Sequence, residues 1–232
     1  MSSPLPVVSA RRWRTRRSAA VAGIAFAVLL LTAMTLMRLA LGDDDPRTLQ
    51  LEADRQRLIR VGLQLVPFAG IAFLWHMNAV RLLIAARTPS PSAMPYGLQL
   101  VSGVLFVALL FAGTAAAGAV ALLKDLSSAP LPSVDVMRGL LGVGYGMVFV
   151  YAVRGAGMYA ITTTTLLASA GLLPRWLAVI GYLLAAFLLV STALNPVVML
   201  LFPAWALLVG VVVFLRSGHL GATVPPEKEL TA

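Results

Sequence analysis

An all-helical, polytopic membrane bundle of about six transmembrane helices is the fold class this sequence predicts. Three observations predict it. Of 232 residues, 59% are hydrophobic and only 12% are charged, where a soluble domain carries about 25% charged residues. The apolar residues fall in six long runs rather than at the spacing of a surface helix, and a run of roughly 18 or more reads as a membrane span. No Asp or Glu lies inside any of these runs.

Span one covers about Ser18–Leu41, behind a basic segment over 1–17 that holds Arg11, Arg12, Arg14, Arg16 and Arg17. Such a cluster marks topology and contact with anionic lipid. No folded module accompanies it, so nucleic acid is not an expected partner. The run exceeds the core of a signal peptide and ends in the poor cleavage site Leu39-Ala40-Leu41-Gly42, so it reads as a retained span.

Asp45 and Pro46 suit the start of a short helix leading into span two, about Val61–Ile84. Glu52 with Arg55, and Asp54 with Arg57, sit three apart and can pair on its surface. The connection from Arg87 to Pro95 is a proline-rich turn, and Ser127–Ser133 is similar. Between them, span three covers about Gly97–Leu123, roughly 40 Å as a helix. The hydrocarbon core is about 30 Å thick, so this helix must tilt or protrude. Span four lies within Val136–Ala170, span five is about Trp176–Leu194 and span six about Val197–Leu215. Pro67 and Pro203 are expected to kink spans two and six. The tail over 217–232, rich in Gly, Pro and charge, is expected to be flexible.

Small residues four apart recur at Gly113/Ala117 and Ala112/Ala116 in span three and at Gly142/Gly146 in span four. Ridges of this kind let helix backbones approach closely. Packing within one subunit is one use; a face for a homo-oligomer or a partner membrane protein is the other.

With the N-terminus inside, the inner segments hold the five clustered arginines with Arg81, Arg87, Arg175, Arg216 and Lys228. The outer ones hold Arg47, Arg55, Arg57, Arg60, Lys124 and Arg138. The imbalance favours cytoplasmic N- and C-termini in the cell membrane. Arg38 and Arg81 lie near span ends, where their side chains are expected to snorkel.

Arg154 is the charge that no span end readily explains. Tyr151, Met158, Thr162 and Thr165 share its helical face, giving a polar stripe of Tyr151, Arg154, Thr162 and Thr165 as the candidate ligand-binding residues. An arginine at a helix centre costs roughly 2.5–3.5 kcal/mol on insertion scales, so a partner or water is expected. One reading places an anion or polar head group on Arg154 in a cavity. The other follows from the length of the segment: at about 52 Å it is far longer than a bilayer needs, so Arg154 can sit at an interface and snorkel. Gly155 and Gly157 permit a break, as in the discontinuous helices of transporters. Thr162–Thr165 can bond their own helix carbonyls, or coordinate an ion. His76, with Arg81 following, either lines an entrance or bonds a neighbouring helix.

The absences narrow the chemistry. The chain has no cysteine and only two histidines, His76 and His219. Thiolate chemistry, a histidine-rich metal site and a bis-histidine haem are not expected, nor is any cofactor. Spans without carboxylates disfavour a proton-coupled pump and an aspartyl protease. No Gly-x-Ser-x-Gly surrounds Ser102, Ser169 or Ser191, and no glycine loop for phosphate is present. The chain is not read as an enzyme.

Three stretches carry a family resemblance. They are Pro67-Phe-Ala-Gly-Ile-Ala-Phe-Leu-Trp75, Ser102-Gly-Val-Leu-Phe-Val-Ala-Leu-Leu-Phe111 and Leu173-Pro-Arg-Trp-Leu-Ala178. Together they resemble a group of uncharacterised multi-spanning integral membrane proteins from actinobacteria, over roughly Val61 to Leu215. The resemblance implies the fold and a plasma-membrane location; Arg154 also matches a position of the group, whereas the place of His76 tends to be aromatic there. It implies no mechanism. The expected function is a scaffold or a lipid- or partner-binding membrane protein, with membrane lipids as partners. The alternative is a small-solute or lipid transporter with Arg154 in its pathway, although no matching sequence links the two halves.

Overall fold

A computed structural model describes residues 7–41, 53–88, 92–126, 132–191 and 196–219. Its elements are helices: α1 (Val7–Leu41), α2 (Ala53–Ala85), α3 (Ala93–Leu126), α4 (Val134–Tyr145), a π-helical segment (Gly146–Ala152), α5 (Val153–Ser169), α6 (Arg175–Val190) and α7 (Pro196–His219). The α4, π and α5 pieces run on as one rod, so the described residues form six helices. Asp45, Pro46 and Glu52, the Ser127–Leu131 part of the third connection and the tail beyond His219 lie outside the described residues.

Four helices are long and apolar enough to cross a membrane: Ser18–Ala40, Asp54–Ala85, Ala93–Ala119 and Val134–Ser169. Within their most apolar windows only 33–39% of residues are buried in the bundle. Many of the others, including Val28, Phe68, Ile71, Trp75 and Val101, face outward. A soluble protein does not expose apolar surface on this scale; lipid is the solvent that covers it. α6 and the Leu200–Val213 stretch of α7 are shorter apolar helices that complete the set. Pro67 and Pro203 sit inside α2 and α7, which continue through them.

α3 lies at the centre of the packing, against α2, α4, the π segment and α5. α1 packs along α2 and α7, and α5 along α6. The close approach between α3 and α4 is built on glycine, but at a different position from the one the spacing suggests. A Cβ on Gly144 would lie 2.8 Å from the Cβ of Ala117 and 2.6 Å from the Gly113 carbonyl oxygen. Gly142 and Gly146 have nothing within 4 Å of such a Cβ. Gly113 and Ala117 therefore form the ridge as expected, and Gly144 is its counterpart; Gly142 and Gly146 face open space among the described residues. The cause is geometric: a small-residue spacing marks a helix stripe but not the direction it faces.

The irregular turn of the fourth span also differs from expectation. Gly155 and Gly157 do not break the helix. They admit neighbours instead: a Cβ on Gly155 would lie 3.3 Å from the Phe106 backbone nitrogen, and one on Gly157 would lie 3.2 Å from the Ala185 carbonyl oxygen. The irregularity is the π segment just before them. At its end Val153 N–H bonds the Val148 carbonyl, five residues back.

The turn between α5 and α6 needs glycine. Gly171 has φ +67°, and Leu172 N–H reaches back to the Leu167 carbonyl at 2.9 Å, the pattern that closes a helix C-terminus with a left-handed residue. Pro174 then caps α6. Two of the three resemblance stretches meet in this fold: Phe73 on α2 packs against Phe106 on α3 with ring centroids 5.1 Å apart.

Candidate functional site

Five helices send aromatic side chains to one place. Phe26 (α1), Phe73 (α2), Phe106 (α3), Tyr159 (α5), and Phe202 with Trp205 (α7) are all 0–4% exposed. Phe73 alone lies 4.9 Å from Phe26, 4.9 Å from Tyr159 and 5.7 Å from Phe202 between ring centroids. Most pairs are tilted or edge-on, the arrangement that aligns ring edges with ring faces. The bundle axis at this level is filled by rings.

A polar cluster lies to one side of the rings, where α2 ends and α3 begins. Arg81 is half-buried and turned toward α3. Its guanidinium lies over the Tyr96 ring, 3.6 Å from the centroid. Its Nη1 donates to the Tyr96 carbonyl and lies 3.5 Å from Gln99 Oε1. Gln99 is fully buried and donates from Nε2 to Thr163 Oγ1 at 2.8 Å. The Tyr159 hydroxyl lies beside Thr163 but meets no partner in hydrogen-bond geometry among the described residues. The chain of contacts thus runs from Arg81 at the rim to the edge of the aromatic centre.

Two further polar atoms are buried without a partner among the described residues, Thr164 Oγ1 and Trp205 Nε1. Both lean on Gly181 of α6; a Cβ there would lie 3.2 Å from Trp205 Nε1 and would overlap Thr164 Oγ1.

The residues of the predicted stripe are placed as follows. Arg154 is half-buried and donates from Nη1 to the Val150 carbonyl, one turn back on its own rod, at 2.6 Å. Among the described residues no carboxylate pairs with it. Tyr151 is 61% exposed on the outer surface. Thr162 donates to the Met158 carbonyl at 2.8 Å, and Thr165 to the Ile161 carbonyl at 2.8 Å. Thr165 also lies 3.1 Å from the Tyr182 hydroxyl. These four side chains share a stripe but do not converge on one point. His76 is buried and its Nδ1 lies 2.8 Å from the Ala19 carbonyl of α1. It therefore ties two helices together.

No family model, curated protein or solved structure matches this chain.

Gln99 and Tyr96 are site residues that the sequence reading does not single out, and Arg81 turns inward where snorkelling is expected. A signal is there. Tyr96 and Gln99 stand three apart at the start of an apolar run, on one helical face, while Thr163 interrupts another apolar run.

Proposed function

We propose that this chain is a non-catalytic, non-conducting multi-pass protein of the cell membrane that binds a lipid or a partner, with both termini cytoplasmic. The observation that supports it best is the aromatic centre. A solute path along the axis would have to displace six rings drawn from five helices, and the polar contacts from Arg81 through Gln99 to Thr163 stop beside them. The face that carries Gly139, Gly142 and Gly146 has open space at each glycine and offers a flat contact for a second copy or a partner helix. Membership in the actinobacterial group belongs to the same proposal and rests on the three stretches quoted above.

Reconstitution in liposomes tests the reading. Uptake of small anions, cations and sugars is expected to match that of protein-free liposomes, and saturable uptake refutes it. Reporter fusions at Thr88 and Ser128 are expected to report opposite compartments; the same compartment for both refutes the six-span topology.

A second reading, a transporter with Arg154 in its pathway, draws on the π segment, which ends two residues before Arg154. Such segments are frequent at functional sites. It requires solute flux that is lost in Arg154→Leu.

A further inference from the structure

We infer that the Arg81 centre is a binding site for a phosphate oxyanion, supplied by the head group of an anionic lipid. The inference rests on the reading that the protein binds rather than conducts, and it names what is bound.

The guanidinium is held in place before any ligand arrives. The Tyr96 ring supports its face, the Tyr96 carbonyl and Gln99 Oε1 face Nη1, and Thr163 fixes Gln99 from behind. Nε and Nη2 meet no acceptor among the described residues. Those two groups form the parallel fork of an arginine, which fits two oxygens of one phosphate.

Among the described residues with placed side chains, the charge at this end is positive. Among the described residues with placed side chains, the carboxylates are Asp54, in the first turn of α2, and Asp135, in the first turn of α4. Asp54 lies about 40 Å from Arg81 along α2, far beyond a screening length of about 8 Å. The Arg81 end adds the exposed Arg87 and Arg175. It also holds the N-termini of α3 and α6, neither with an acid in its first turn, and helix N-termini favour anions.

Lipid, rather than free phosphate, follows from the rim. Arg81 lies four residues before the end of α2, about 6 Å along the helix, the depth of a head group. Next to it Leu82 is 61% and Met94 80% exposed, an apolar margin suited to acyl chains.

The test uses the full chain, purified in detergent and stripped of lipid, with short-chain phosphatidylglycerol titrated by native mass spectrometry. Arg81→Gln is expected to weaken binding at least 10-fold. Arg81→Lys keeps the charge but loses the fork, and is expected to weaken it about 10-fold as well. Arg87→Gln is expected to change it less than 2-fold. If Arg81→Gln fails to fold, Arg81→Lys decides: wild-type binding in that variant overturns the inference. Displacement of the lipid by inorganic phosphate at equal concentration overturns the lipid source and upholds the phosphate site. Unchanged binding in the Arg81 variants without solute flux overturns this inference alone; flux in liposomes overturns the non-conducting reading alone.

Discussion

Replacing Phe73 with alanine tests whether the aromatic centre holds the bundle together. Phe73 is fully buried and touches four other rings, those of Phe26, Phe106, Tyr159 and Phe202. In a soluble protein such a truncation costs about 3–5 kcal/mol, part of it lost transfer from water and part of it the cavity. In a membrane the transfer part largely vanishes, because lipid tails are as apolar as the core. The cavity part remains. Removing a phenyl group leaves about 100 Å³, which at roughly 24 cal/mol per Å³ costs about 2.4 kcal/mol. Four lost ring pairs at about 0.5–1.5 kcal/mol each set an upper range of about 2–6 kcal/mol, part of which overlaps the cavity term. The expected destabilisation is about 2–4 kcal/mol. Equilibrium unfolding in mixed detergent and denaturing micelles measures it, with Phe73→Leu as the filled control at under half the effect. Loss below 1 kcal/mol in Phe73→Ala, with native helix content, would refute the claim that packed rings rather than lipid-facing surface stabilise the centre.

Three other perturbations separate the contacts described above. Gly144→Val places a side chain against Ala117 and the Gly113 carbonyl and is expected to cost at least about 2 kcal/mol, whereas Gly142→Val, facing open space, is expected to cost under about 0.5 kcal/mol; thermal unfolding compares the two. Gln99→Leu strips Thr163 of its buried donor and removes one acceptor from Arg81, with an expected loss of about 1–3 kcal/mol in the same assay. His76→Leu breaks the bond to the Ala19 carbonyl, and interhelical hydrogen bonds in membranes average about 0.6 kcal/mol; a loss above about 2 kcal/mol would show that His76 does more than join α1 to α2.

Much of the fold was legible because lipid imposes a simple demand. Every stretch that crosses it must be apolar and helical, so the runs around Phe26, Phe73, Phe106 and Phe202 declared themselves through length and composition. Direction is harder to read. Gly142, Gly144 and Gly146 are equally small, and only the position of α3 decides that Gly144 is the one it touches. The polar cluster was hidden for a related reason. Gln99 and Thr163 are 64 residues apart; Gln99 alone resembles an ordinary polar residue at a span end, and Thr163 alone one of four threonines bonding their own helix. Arg154 attracted attention by its depth in an apolar run. Yet its Nη1 turns to a carbonyl of its own rod, while Arg81, close to a helix end, turns inward.

The π segment has a consequence for alignment. Gly144 and Thr163 both face α3, the first in the α3–α4 contact and the second through Gln99. A regular helix advances about 100° per residue, so nineteen residues amount to five full turns and about 100° more. Thr163 would then point more than a quarter-turn away from the side that Gly144 faces. One additional residue taken up in a π-type turn absorbs about that excess. The segment therefore resets the rotational phase of the rod between its two ends. A local irregularity beside Gly113 thus sets whether Thr163, three turns further on, meets Gln99 at all.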